Sequence, residues 1–224
     1  MSWHHGGVTN PSRVFIVGCA GSGTTLLRRL FFAIEGTTVV PEQISALKFI
    51  DMDHPGGILV GKRGARCPMA GRIDDDEARR QLTALCELDT AVIHIVRNGL
   101  DTVSGHQQPR PQKWAAAISQ SRRLSQFVAL EVRYEHLVRD PDDVQREVCG
   151  ALCLTPTAPW SEYPAFVPGS DKLPNFALTM RPITTERISK PESQTAWIDA
   201  CQDAAEEEQF RSAMAALGYK MGGE

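Results

Sequence analysis

The sequence predicts an α/β fold of three layers: a central, mainly parallel sheet of about five strands flanked by helices. Three observations predict it. Strand-like apolar runs alternate with helix-like patterns along most of the chain. The first run passes through a glycine-rich loop into a helix, Val14 to Leu27 reading VFIVGCAGSGTTLL. At 224 residues and 42% hydrophobic content, the chain has enough apolar mass for one core and is cramped for two, so 1–224 reads as a single domain.

Taken in order, apolar and β-branched runs place strands near 13–18, 37–41, 58–61, 91–96 and 127–134. Helical periodicity and capping residues place helices over about 24–35, 42–51, 75–87, 99–107, 112–125, 141–153 and 195–217. The triple aspartate Asp74, Asp75 and Asp76 reads as a helix N-terminus and not as a metal cluster. Residues 1–12 read as flexible. From Thr155 to Pro182, six prolines interleaved with Trp160, Tyr163, Phe166 and Phe176 predict an irregular segment, either a lid over a site or a passive wrapping loop.

The loop after the first strand has the form of a phosphate cradle. Successive backbone N–H groups and the positive end of the helix dipole hold an anion there, and glycines allow its close approach. Gly18 and Gly23 keep the spacing of a nucleotide-triphosphate loop, but Thr24 stands where the triphosphate lysine belongs, while Thr25 keeps the place of a magnesium-binding hydroxyl. A second anion site follows the strand Thr90–Val96. Triphosphate-using enzymes commonly end that strand in a magnesium-supporting aspartate, whereas this chain has Arg97, followed by Asn98, Gly99 and Leu100 and then by Asp101 and Ser104. A plain tight turn is the alternative reading of the loop, and the joint context of strand, spacing, threonines and helix speaks against it.

The formal net charge of −3 gives no reason to expect nucleic-acid or membrane-surface binding, so any anion site must be local. No stretch approaches the roughly 18 apolar residues of a membrane span, and the polar start MSWHHGGVTNPS lacks a signal-peptide hydrophobic region, so the chain reads as cytoplasmic. The six cysteines lack zinc or redox spacing and read mostly as small core residues; His4 and His5 read as a loose terminus, and no metal is expected.

Four segments together resemble the sulfotransferases that use 3'-phosphoadenosine 5'-phosphosulfate (PAPS). GCAGSGTTLL is similar to that family's 5'-phosphosulfate loop, commonly PRSGTTLL or PKSGTTW. RNGLDTVS is similar to its 3'-phosphate motif, VRYEHLVRDP to its YEDL segment, and SKPESQTAW with LGY at Leu217 to Tyr219 to its C-terminal segment. They occur in family order, and they resemble the Golgi, tyrosylprotein and bacterial type more than the cytosolic type.

The resemblance implies PAPS as donor, adenosine 3',5'-bisphosphate (PAP) as spent cofactor, no metal, and a hydroxyl-bearing acceptor such as a small molecule, sugar or peptide. It implies cofactor contacts at Cys19, Ala20, Gly21, Ser22, Gly23, Thr24, Thr25, Arg97 and Ser104, with Ser189 and Lys190 as secondary contacts. Two departures stand out. Gly21 replaces the lysine or arginine usual before SGT, and the family's phosphate serine stands one residue later, at the place of Gly105.

Sulfuryl transfer needs a base for the acceptor and a cation for the charge developing on the departing phosphate oxygen. Lys62, at the end of ILVGK, matches the lysine of the family's NKDP or EKTP sequences and is the candidate cation; an exposed turn lysine beside Arg63 is the alternative. Glu42 matches the Golgi-type catalytic glutamate; a first-turn helix glutamate is its alternative, and His54 and His106 are the other candidate bases. Tyr134 and Glu135 read as the supporting end of a core strand. Arg122 and Arg123 read equally as a nucleotide-facing or a solvated face. A magnesium-dependent ATP kinase and a noncatalytic nucleotide-binding protein of the same fold remain the competing readings.

Overall fold

The computed structural model describes residues 10–54, 56–64, 66–104, 110–168, 182–186, 188 and 198–221, with Pro41 and Glu42 described by their backbone alone. Five strands, β1 (Arg13–Val17), β2 (Thr37–Ile44), β3 (Ile58–Arg63), β4 (Thr90–Val96) and β5 (Leu130–Arg133), form one sheet in the order β2-β3-β1-β4-β5. All four pairings are parallel. Connections from β1 run to one side of it, and β4 lies on the other. The chain therefore switches direction at β1, where α/β sheets open a crevice at the strand C-termini.

The strands read as continuous apolar runs because both faces are covered. Val14 and Ile16 of β1 face a cluster with Leu27, Leu30, Phe31 and Leu137, while Phe15 and Val17 face Phe49, Leu82 and Leu85. Helix α1 (Thr24–Leu30) packs on the first face. Helices α2 (Ala46–Ile50) and α3 (Asp75–Glu87) lie on the second. At the C-terminal end of β4, helices α4 (Gly99–Val103) and α5 (Pro111–Arg123) build a third cluster in which Trp114 meets Phe210, ring centroids 5.1 Å apart. Helices α6 (Tyr134–Arg139), α7 (Pro141–Leu152) and α8 (Ala204–Ala216) follow.

Several boundaries differ from expectation. The segment 42–51 does not begin a helix at Glu42: β2 runs on to Ile44, pairing Gln43 with Lys62 and Ile44 with Arg63 after a register shift between Val39 and Gln43. An irregularity of this kind accommodates Pro41, which has no N–H for a regular ladder. The helix starts only after Ser45, whose hydroxyl accepts the Lys48 N–H. Strand β5 is shorter than expected, and Tyr134 opens α6 rather than ending a strand. Within the expected 195–217, residues 198–200 are helical, 201–203 break the helix, and a second helix starts after Asp203, which accepts the Glu206 N–H at 2.9 Å. Helix α3 starts as expected, with Asp74 capping the Glu77 N–H at 2.8 Å.

Of the segment 1–12, residues 1–9 lie outside the described residues; Asn10 N–H donates to the Leu152 carbonyl at 3.0 Å, and the Ser12 carbonyl accepts from Leu59 N–H at 3.0 Å. The first half of the proline-rich stretch belongs to the core. Trp160 is 0% exposed and packs with Phe31, and Gln145 brackets the segment by donating to the Ala158 carbonyl and accepting the Trp160 N–H. Its second half, 169–181, lies outside the described residues. All six cysteines are free; Cys19, Cys67 and Cys149 are buried, whereas Cys86 and Cys153 are exposed and Cys201 is intermediate. No helix among the described residues is long and apolar enough to cross a membrane.

Candidate functional site

The loop Gly18–Thr25 leaves the C-terminal end of the central strand. Gly18, Gly21 and Gly23 have φ of 151°, 84° and 101°, a region that L side chains rarely adopt. Space reinforces the requirement at Gly23, where an added Cβ would stand 2.5 Å from the Tyr134 ring. The loop is closed on itself by Ser22, whose N–H and hydroxyl both donate to the Cys19 carbonyl, at 3.2 and 2.8 Å. Gly23 caps α1, so the unsatisfied N–H groups of the first turn open onto the loop. Burial pushes the Cys19 thiol up to about 11, which makes it a neutral packing group at ordinary pH.

Two cationic side chains converge on this loop. Lys62, from β3, donates its Nζ proton to Thr25 Oγ1 at 2.8 Å. It is only 6% exposed, which rules out the exposed turn lysine. Parallel pairing of β1 with β3, Ile16 opposite Lys62, puts that ammonium beside the loop. Arg97 follows β4 on the other side of β1 and donates from Nη1 to the Gly21 carbonyl at 3.1 Å. Its guanidinium lies 4.5 Å from the centroid of the Tyr134 ring. At Gly21 the loop backbone thus receives a cation from the neighbouring strand.

The electrostatic setting is strongly positive. Lys62, Arg63, Arg28 and Arg29 are all buried. Burial first, and then the charges of Arg28, Arg63 and Arg29, lower the Lys62 ammonium to about 8. Arg28 is likewise lowered to about 10 by burial and then by Arg29, and burial also lowers Arg63. Arg29 donates to the Tyr163 hydroxyl at 3.4 Å, tying α1 to the first half of the proline-rich segment. The sequence displays Arg28 and Arg29 but not their burial, because arginines near a helix C-terminus ordinarily point to water.

The remaining candidates divide. Ser104 ends α4, and its hydroxyl donates to the Leu100 carbonyl at 2.8 Å. Glu42 sits on β2 next to Gln43, the residue paired with Lys62, and its side chain lies outside what is described. Gly105, His106, Ser189 and Lys190 lie outside the described residues. His54 precedes β3, with Nε2 buried and unbonded. Arg122 and Arg123 form ion pairs with Glu131 and Asp75, so the solvated-face reading holds for them. Among the described residues, His136, Asp143 and Glu147 come together as potential metal ligands. None belongs to the loop or a strand end, and Asp143 is already paired with His136 and Arg146.

Solved structures carry the comparison, since no protein-family model matches the chain and no curated protein does. The sulfotransferase domain from the Synechococcus PCC 7002 olefin synthase superposes with a TM-score of 0.62 at 18% identity, covering 98% of this chain and 99% of that one. The sulfotransferase domain from the curacin biosynthetic pathway also gives 0.62, at 15% identity, over 95% and 99% of the two chains. The chain has the sulfotransferase fold. Near-complete coverage of both partners means that the likeness spans the whole domain and not the loop alone.

Proposed function

We propose that this protein transfers a sulfuryl group from PAPS to a hydroxyl of an acceptor. The observation that carries the reading is the convergence of Lys62 and Arg97 on one glycine loop from opposite sides of β1. Gly18 to Thr25 would hold the 5'-phosphosulfate by backbone N–H groups, with Cys19, Ala20, Gly21 and Ser22 forming the wall of the cradle. Arg97, with Ser104, would take the 3'-phosphate, and Ser189 and Lys190 would add contacts from the C-terminal segment. Buried cations that lower one another's proton affinity favour an anion in their midst.

PAPS, when bound, supplies the activated sulfuryl group. Lys62 would stabilise charge on the bridging oxygen through its ammonium, and Glu42 would take the acceptor proton. The residues suit a metal-free donor, because Thr25 Oγ1, the hydroxyl that meets magnesium in a triphosphate loop, accepts from Lys62 instead. This speaks against the ATP kinase. The test is release of PAP from PAPS, with a panel of hydroxyl acceptors and with water alone. Lys62-dependent release supports transfer; consumption of ATP with magnesium and none of PAPS would overturn it.

A further inference from the structure

The corner after β4 is gripped by residues far away in the sequence. Asn98, which follows Arg97, donates its backbone N–H to Glu135 Oε1 at 2.8 Å. The other Glu135 oxygen, Oε2, accepts the Tyr219 hydroxyl at 2.7 Å. Tyr219 is itself held by Arg133, whose guanidinium lies 5.2 Å from the ring centroid and donates to the Leu217 carbonyl at 2.6 Å. Helix α8 presses on the same corner: a Cβ added at Gly99 would stand 2.7 Å from Phe210 and 2.9 Å from Met214.

Glu135 is 9% exposed, so a donor withdrawn from its carboxylate is poorly replaced by water. Its neighbour Tyr134 lies under the Arg97 guanidinium. One dipeptide thus supports the Arg97 side chain through Tyr134 and the next peptide N–H through Glu135. Asn98 adds local order, its side chain accepting the Leu100 N–H at 2.9 Å and its carbonyl accepting the Thr102 hydroxyl at 2.8 Å.

We infer that Tyr219 is a positioning residue for recognition of the cofactor's 3'-phosphate. By hydrogen-bonding Glu135 it fixes the Asn98 amide, and with it the direction in which Arg97 leaves the sheet. The C-terminal turn Leu217–Tyr219 is therefore part of the device that sets nucleotide preference, although Tyr219 itself touches Glu135 and Arg133. This rests on the reading of Arg97 as the 3'-phosphate ligand. A strut of purely structural value would weaken all nucleotides alike, whereas this one acts on the ligand that carries a 3'-phosphate.

The experiment compares affinities for PAP and AMP by calorimetry in the wild-type protein and in Tyr219→Phe, which keeps the ring on Arg133 and removes the hydroxyl. Thermal unfolding of each protein is followed alongside. PAP affinity should fall roughly three- to tenfold and AMP affinity less than about twofold, the scale of one hydrogen bond to a charged group acting through a neighbour. Glu135→Gln, which removes the charge while keeping one acceptor oxygen, should lower the PAP-to-AMP ratio at least as far. An unchanged ratio in folded Tyr219→Phe, or equal losses for both ligands, overturns the inference alone. Equal affinities in the wild-type protein overturn the Arg97 reading and the inference with it.

Discussion

The Tyr134 ring stands between the glycine loop and Arg97, 4.5 Å from the Arg97 guanidinium and so close to Gly23 that a Cβ there would meet it at 2.5 Å. Register explains the arrangement. Val96 of β4 pairs with Arg133 of β5, so the residues that follow each strand, Arg97 and Tyr134, emerge side by side. The guanidinium gains cation–π attraction and orientation from the ring, and the loop backbone gains a flat wall.

Arg97→Ala should erase most of the preference for PAP over AMP, a loss of about 1.5–3 kcal/mol for a charge-assisted contact to phosphate. Paired titrations of the variant with the two nucleotides check this. A preference that survives the substitution would move the 3'-phosphate away from Arg97.

Gly23→Val should abolish the thermal stabilisation that PAP gives. The new side chain meets Tyr134 and must adopt a φ of 101°. The variant should also lose about 1–3 kcal/mol of intrinsic stability from backbone strain and overpacking. Differential scanning with and without PAP separates the two effects, and undiminished stabilisation in a folded variant would remove the loop from the cofactor site.

Lys62→Ala should lower turnover by roughly a hundredfold or more, as for loss of one oxyanion-stabilising donor, while PAP affinity changes less. PAP release under matched PAPS saturation measures it. Near-normal turnover would end the catalytic role of Lys62.

The Lys62 ammonium, lowered to about 8, gives a pH signature whose sign follows from the direction of the shift. The folded protein releases this proton before the unfolded chain does, so this group makes stability rise with pH between about 8 and the ordinary lysine value. An anion in the loop raises the proton affinity again. PAP binding near pH 8.5 should therefore take up protons, seen as a dependence of the calorimetric enthalpy on buffer ionisation, and the dependence should disappear in Lys62→Ala.

Much of this site is written in local sequence. The glycine loop is legible because close backbone approach and positive φ leave few residue choices, and β1 and β4 are legible because burial on both faces produces unbroken apolar runs. Asp74 announces α3 by its capping chemistry. What escaped depends on tertiary contacts. Pro41 reads as the end of a strand, yet the register shift in β2 carries pairing past it to Ile44. Tyr134 has strand propensity but opens α6. The burial of Arg28 and Arg29, and the Glu135 bridge from Asn98 to Tyr219, arise from elements distant in the chain and leave no local pattern.

Whether the loop and Arg97 hold a 3'-phosphorylated nucleotide rather than a metal triphosphate is decided by titrating the protein with PAP in the presence of a chelator and, separately, with ATP and magnesium. Metal-free saturable binding of PAP is expected, tighter than that of AMP and of ATP with magnesium. Tight magnesium-dependent binding of ATP, with no heat from PAP, would contradict it.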